Sequence, residues 1–324
     1  EWREVDVEVD KEYGHTRLIT DIFNAIGACV VAGNVRRCLP GDALVYSKGG
    51  LIPIKDIEIG EEVLTMTGYE RVSNKFVQGE QNILRIITQD GEFKCTPNHR
   101  MAVCISYDDY TWKEAKNLIK GDRLITNRHV LCGKITTLPE WEYISKSPIC
   151  KNISPPHLDE DMAWFIGLFQ GDGYTYPNYI KNGFNAYVSI VCGLEEYEVA
   201  VKASEQLKRF GSDLHVTLQK RNNENSYIVR CQSKQLAIYM DKYVKQANTI
   251  IRIPPYIMQA CSNIKLAFVA GVCDADGCLT NRPICVLSTV YKEFATDIQQ
   301  LLYSCGIESR YYEGKDDWPS REGW

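Results

Sequence analysis

Two stretches of this chain echo each other: Phe165-Ile166-Gly167-Leu168-Phe169-Gln170-Gly171-Asp172-Gly173 and Val269-Ala270-Gly271-Val272-Cys273-Asp274-Ala275-Asp276-Gly277. Gly271 follows Gly167 by 104 positions. Each stretch closes an apolar run, beginning at Met162 and at Ile264, and each carries small residues four apart, Gly167 with Gly171 and Gly271 with Ala275. Residues four apart share one helix face, so each run offers a groove into which another backbone fits. The spacing predicts two helices packed as a pseudo-twofold pair, each ending in Asp-Gly, where glycine suits a left-handed cap. Asp159-Glu160-Asp161 precedes the first run, and acidic residues favour the positive end of a helix. Asp172 and Asp276 then stand together at two helix C-termini, where the dipoles and the neighbouring carboxylate oppose ionisation. A cation relieves that. Mg²⁺, which takes carboxylate and phosphate oxygens and keeps several waters, is the ligand expected for these catalytic and metal-binding candidates.

The chain before this pair has another period. Between Cys38 and about Val130, short alternating runs (Ala43 to Tyr46, Glu62 to Met66, Ile83 to Thr88, Phe93 to Thr96 and Met101 to Ile105) are bounded by Gly, Pro, Asp or Asn, which reads as all-β. Ile54-Lys55-Asp56-Ile57 with Gly60-Glu61-Glu62-Val63 is mirrored by Ala115-Lys116-Asn117-Leu118 with Gly121-Asp122-Arg123-Leu124, an internal repeat that predicts a duplicated β-subunit. Pro139, Pro148, Pro155 and Pro156 mark a connector. The expected order is residues 1–37, a foreign leading segment; 38–135, an all-β domain; 136–158, the connector; and 159–324, an α+β domain with an internal repeat.

Composition limits the function classes. No apolar run reaches the ~18–20 residues of a membrane span and no basic-then-apolar start marks a signal peptide, so a cytoplasmic setting without a membrane partner is expected. The 13 cysteines lack paired CxxC spacing and read as reduced thiols, neither a zinc site nor a disulfide framework. Net charge is −5, yet from Lys202 to Arg252 ten basic residues face four acidic ones. Lys208, Arg209, Lys220, Arg221, Arg230, Lys234 and Arg252 from that stretch are the candidates for contacts to a DNA backbone. The chain opens on Glu1 and closes at Trp324 after a polar run, Glu313 to Glu322, which reads as a fragment of a longer frame.

Three resemblances attach to these residues. The run Cys29-Val30-Val31-Ala32-Gly33-Asn34-Val35-Arg36-Arg37 resembles the ribonucleotide reductase large subunit, particularly the adenosylcobalamin-dependent type, in which Ser-Ala follows; here Cys38 stands in that place. Cys38-Leu39-Pro40-Gly41-Asp42-Ala43-Leu44-Val45, Cys95-Thr96-Pro97-Asn98-His99 and the segment from Trp112 to Ile125 together resemble the horseshoe-like Hint fold of inteins and hedgehog-type autoprocessing domains. The paired helix motifs resemble those of LAGLIDADG homing endonucleases. By these resemblances Cys38 attacks the carbonyl of Arg37 in an N–S acyl shift, and Thr96 and His99 activate that peptide, His99 as general acid. Asp172 and Asp276 hold metal for cutting DNA. The partners implied are the N- and C-extein segments and double-stranded DNA at the intein-free reductase allele; adenosylcobalamin would serve the host enzyme alone. The His-Asn with which an intein closes is absent between Gly277 and Trp324, and Ile251 stands where the endonuclease family places a lysine two residues before Ile-Pro. Two rivals follow: a fragment of the host reductase, and a DNA-binding remnant that no longer cuts.

Overall fold

The computed structural model describes residues 37–65, 68–88, 92–106, 109–125, 130–144, 151–176, 186–221, 224–245, 251–279 and 285–312. The reductase-like run before Arg37, the tail from Glu313 and part of the connector lie outside these residues. In chain order the first strands are β1 (Leu44–Ser47), β2 (Gly50–Pro53), β3 (Glu62–Thr65), β4 (Gly68–Arg71), β5 (Leu84–Ile87), β6 (Glu92–Cys95), β7 (Arg100–Cys104) and β8 (Tyr110–Glu114). Then come helix α1 (Glu160–Asp172), strands β9 (Gly173–Tyr176) and β10 (Tyr187–Gly193), helix α2 (Tyr197–Lys208), strands β11 (Val216–Lys220) and β12 (Ser226–Cys231), and helix α3 (Lys234–Met240), which runs on into a π-helical turn over Asp241–Lys245. The short α4 (Pro255–Met258), then α5 (Ser262–Asp276), β13 (Gly277–Leu279), β14 (Cys285–Leu287) and α6 (Lys292–Ser304) complete the order.

Strands β1, β3, β5, β6 and β7 coincide with the alternating runs of the sequence. The remaining early strands, β2, β4 and β8, are hairpin partners made of Gly-Leu-Ile-Pro, Gly-Tyr-Glu-Arg and Tyr-Thr-Trp-Lys-Glu, too polar or too broken by Gly and Pro to show a period of their own. Turns enforce their pairing. Between β1 and β2, Ser47 Oγ donates to the Gly50 carbonyl at 3.0 Å and accepts from Gly49 N–H at 3.0 Å, while Gly50 takes φ +117°, which glycine adopts without a Cβ penalty. The internal repeat has a structural counterpart. Ile54–Asp56 and Ala115–Asn117 both form 3-10 turns, each followed by a left-handed glycine, Gly60 at φ +95° and Gly121 at φ +103°. In each copy the next acidic side chain, Glu61 or Asp122, accepts from a backbone N–H three residues earlier.

The chain divides into two compact units that do not follow chain order. One contains residues 37–40, Val77–Ile87 and 92–125, with the hairpins β5–β6 and β7–β8. The other takes in Gly41–Phe76 and everything described from Val130 on, with the antiparallel sheet β2-β1-β3-β4 and a second sheet in the order β11-β12-β10-β9. Its core is one cluster running through Phe165, Phe169, Val188, Ile190, Leu207, Val229, Tyr239, Phe268 and Leu301. Register puts Val188, Ile190 and Cys192 of β10 on the same face as Cys231, Val229 and Tyr227 of β12, the face covered by α2, against whose Tyr197 the Tyr227 ring packs. No helix among the described residues is long and apolar enough to cross a membrane.

Candidate functional site

Helices α1 and α5 touch along their backbones because the small residues allow it. A Cβ added to Gly167 would lie 2.1 Å from the Phe268 carbonyl oxygen, and one added to Gly271 would lie 1.9 Å from that of Trp164. The helix ends differ from the left-handed caps that Asp-Gly predicts. Gly173 (φ −79°, ψ 148°) and Gly277 (φ −86°, ψ 155°) are extended, and the chain passes straight into β9 and β13. Glycine is needed there for room: a Cβ on Gly173 would meet the Phe169 ring at 2.2 Å, and one on Gly277 the Cys273 carbonyl oxygen at 2.3 Å.

This packing brings Asp172 and Asp276 into each other's field. Burial raises the Asp172 carboxyl to about 6, with the charges of Asp276 and Glu196 pushing the same way and Lys245 opposing them. Motif spacing does not reveal Lys245. It belongs to the π-helical turn after α3, and its Nζ donates to the carbonyls of Gln170 at 2.7 Å and Gly171 at 3.2 Å, capping the C-terminus of α1. Burial lowers its pKa while Asp276 and Asp172 hold it up. Gln170, which replaces the first aspartate of the motif, is buried and fixes this arrangement: its Nε2 donates to Val244 O and Arg252 O, both at 3.0 Å. At the equivalent place in the second copy, Asp274 accepts from Trp164 Nε1 at 2.7 Å. Among the described residues no three His, Cys, Asp or Glu side chains gather as a metal cage. A half-buried carboxylate beside a second of like charge still fits a hard cation that takes its remaining ligands from water and phosphate.

In the other unit the Arg37–Cys38 peptide is held by Thr96. Cys38 N–H, the nitrogen of that peptide, donates to Thr96 Oγ1 at 3.0 Å, Thr96 N–H donates to Cys38 O at 3.0 Å, and Thr96 Oγ1 donates to the same oxygen at 3.3 Å. His99 N–H donates to Thr96 O at 3.0 Å, closing the turn that carries both side chains. Burial and then the positive charge of Arg37 lower the His99 pKa, and its Nδ1 is buried without a hydrogen-bond partner among the described residues. Both effects favour the neutral imidazole, which is able to accept a proton before giving one.

The seven basic candidates do not share one surface. Arg230 lies on the sheet face opposite α2, its guanidinium 4.4 Å from the Tyr187 ring centroid and its Nε donating to Ser189 Oγ at 3.1 Å; Tyr176 stacks on the same Tyr187 ring. Lys220, paired with Tyr227, alternates to the α2 side, and Lys208 ends α2 itself. Lys234 begins α3, exposed, and Arg221 pairs with Glu224 in the β11–β12 turn. Arg209 grips Asp159, the N-cap of α1, through two hydrogen bonds of 2.9 and 2.7 Å. Arg252 does the same with the buried Asp297 of α6, at 2.6 and 2.8 Å.

Several curated proteins are similar to this chain over most of its length. An iron-sulfur cluster assembly SufBD family protein of Mycobacterium leprae is 24% identical over 310 residues, covering 88% of this chain and 33% of the relative. The replication factor C small subunit of Methanocaldococcus jannaschii is 25% identical, covering 86% and 14%. The ribonucleoside-diphosphate reductase NrdEB subunit alpha of Bacillus subtilis is 21% identical, covering 80% and 22%. The chain thus spans a third or less of the length of these relatives. A solved structure of the homing endonuclease I-DmoI in complex with DNA and Mn aligns with 44% of this chain and 76% of its own, at 19% identity and a TM-score of 0.35. Residues 263–323, from the start of α5 through α6, match the family model of a LAGLIDADG-like domain.

Proposed function

We propose that this chain is an intein carrying a homing endonuclease: a self-splicing element inserted in a ribonucleotide reductase that also cuts double-stranded DNA at the uninterrupted allele. The nuclease half rests on one observation, the meeting of Asp172 and Asp276 at the ends of two glycine-packed helices, with Lys245 beside them. Asp172 and Asp276 would hold Mg²⁺, which when bound supplies activation of water and stabilisation of the leaving phosphate oxygen. The partly buried site strengthens charge interactions within it, and Lys245 can hold or move a proton at Nζ next to both carboxylates. The reading as a DNA-binding remnant that no longer cuts draws on Ile251; Lys245 favours the active reading, since it delivers a cation to the site from a different position in the chain.

For splicing, the support is the Thr96 clasp on the Arg37–Cys38 peptide. Neutral His99 takes the Cys38 thiol proton as Sγ attacks the Arg37 carbonyl carbon. The same proton then goes to the departing Cys38 nitrogen, so a C–S bond replaces the C–N bond and no proton is lost. The relatives add support of another kind. Their names concern iron-sulfur assembly, replication and nucleotide reduction, yet each aligns with 80–88% of this chain and only 14–33% of itself. A segment shared by such different proteins reads as a movable insert, and that weighs against a host reductase fragment. The reductase as host rests on the run ending at Arg37.

Both halves are tested on the full chain. A duplex spanning the uninterrupted Gly-Asn-Val-Arg-Arg-Ser codons should be cut with Mg²⁺ and left intact with a chelator. Dithiothreitol should release a fragment ending at Arg37. Equal cutting of random DNA would end the homing reading, and release undiminished in Cys38→Ala would end the splicing one.

A further inference from the structure

Cys273 and Cys285 face each other across the exit of α5. Their sulfurs are 3.2 Å apart, the Cys285 thiol donating to Cys273 Sγ, which is within about 1.2 Å of the ~2.05 Å disulfide bond. Cys273 lies in the last turn of α5, just ahead of Asp276, and Cys285 opens β14 opposite Leu279 of β13. Gly277 pairs with Leu287 in the same hairpin, and Leu287 packs on the core, so this face of the hairpin turns toward the helix. Cys285 is exposed and Cys273 half-buried, so an oxidant in solution reaches the pair.

We propose that Cys273 and Cys285 form a reversible disulfide by exchange with an oxidised low-molecular-weight disulfide, and that the closed form slows DNA cutting; the second clause rests on the nuclease reading above. Cys285 sulfur, having lost its proton, attacks one sulfur of the small disulfide and releases a small thiol that takes up that proton. Cys273 sulfur then displaces the second small thiol, which takes the Cys273 proton. Two protein thiols and one small disulfide become one protein disulfide and two small thiols. Burial, and then the hydrogen bond shared with Cys285, push the Cys273 thiol up to about 12, which keeps Cys273 protonated at rest.

Asp276 lies inside the ring that the bond closes. Drawing β14 toward the last turn of α5 pulls on its strand partner β13 and on Asp276 just before it, and the turn at Gly277 has no slack, because even a Cβ there would sit 2.3 Å from the Cys273 carbonyl oxygen. The displacement passes to the Asp276 carboxylate. Misplacing a catalytic group by ~1 Å costs about 10²-fold in rate.

The full chain is incubated with oxidised glutathione, its remaining thiols are alkylated, and the digest is mapped by mass, while cutting of the uninterrupted-allele duplex is followed before and after dithiothreitol. The expected result is a Cys273–Cys285 peptide lighter by two hydrogens, a fall in cutting of about 10²-fold that reverses on reduction, and loss of both effects in Cys285→Ser. No such peptide, or a bond from Cys285 to Cys278 in its place, overturns the couple. A bond that leaves the rate unchanged overturns its control of cutting. If the reduced chain also fails to cut, the nuclease reading and the regulatory clause fall together, while the peptide map still decides whether the disulfide forms.

Discussion

Lys245 Nζ donates to the Gln170 carbonyl at 2.7 Å, placing an ammonium at the C-terminus of the helix that ends in Asp172. The negative end of the α1 dipole, two carboxylates and one partly buried cation therefore meet in one place. Lys245→Met keeps the length of the side chain and removes its charge. It should reduce cutting by about 10²–10³-fold, the cost of losing one electrostatic group aimed at a reacting centre, with DNA affinity within a few-fold of the parent. Filter binding and single-turnover cleavage separate the two, and an unchanged cleavage rate would remove Lys245 from the site.

Asp172 sets a pH dependence whose sign follows from its pKa of about 6, above the ordinary 3.8. Between those values the folded state keeps a proton that the unfolded chain has lost, so the stability this group contributes is fully present below 3.8 and is lost as pH rises through about 6. Discounted for its partial exposure, the effect is about 1–2 kcal/mol. Denaturant titrations of the metal-free parent and Asp172→Asn should diverge over that window, the variant being the more stable above it while cutting no DNA. Parallel pH profiles would show that Asp172 ionises like an exposed carboxylate.

The helix pair should not tolerate Cβ atoms. Gly271→Ala places a methyl against the Trp164 carbonyl, backbone against backbone, and should cost about 3 kcal/mol or more by forcing α1 and α5 apart. Gly173 separates two explanations of its glycine. Asn is tolerated in a left-handed cap, whereas in the extended conformation it meets the Phe169 ring as Ala does. Gly173→Asn and Gly173→Ala should therefore lower the melting temperature alike, and a well-tolerated Asn would restore the cap reading.

At the Arg37–Cys38 peptide, thiol-induced release of the fragment ending at Arg37 should vanish in Cys38→Ala. His99→Ala should slow it by ~10²–10⁴-fold, as expected for the loss of an acid–base group. Burial of a neutral imidazole also means that His99 opposes folding in acid, since its pKa is lowered in the fold and the unfolded chain binds the proton first. The stability it contributes is present above the ordinary His pKa and lost as pH falls below it. Urea midpoints of the parent and His99→Ala should approach each other as the pH is lowered through that range.

Contacts to DNA should divide the arginines by their present partners. Arg230→Ala removes a guanidinium from the tyrosine-lined sheet face, and should weaken binding and flatten its salt dependence by about one counterion. Arg209→Ala breaks the pair with Asp159 at the start of α1 and should lower stability while leaving affinity nearly unchanged. Equal losses of affinity in the two variants would return Arg209 to the DNA surface.

Features that repeat, or that lie close together in the chain, are legible from the residues alone. Small residues four apart in two matched runs demand a close helix pair, because only glycine and alanine let two backbones approach so nearly. Alternating runs before them demand strands, and Thr96 and His99 are neighbours because they share one turn. Whatever carries no local period was settled by long-range packing. Lys245 reaches the acidic site on a π-helical turn that Gln170 pins from α1, a contact between distant residues that no spacing rule encodes. Basic residues that are neighbours in the chain are parted in the fold: strand alternation sends Lys220 and Arg230 to opposite faces, and Asp159 and Asp297 engage Arg209 and Arg252. Cys273 and Cys285 likewise meet only because β14 pairs antiparallel with β13 and so returns toward the helix that β13 leaves, which makes their pairing a property of the folded chain.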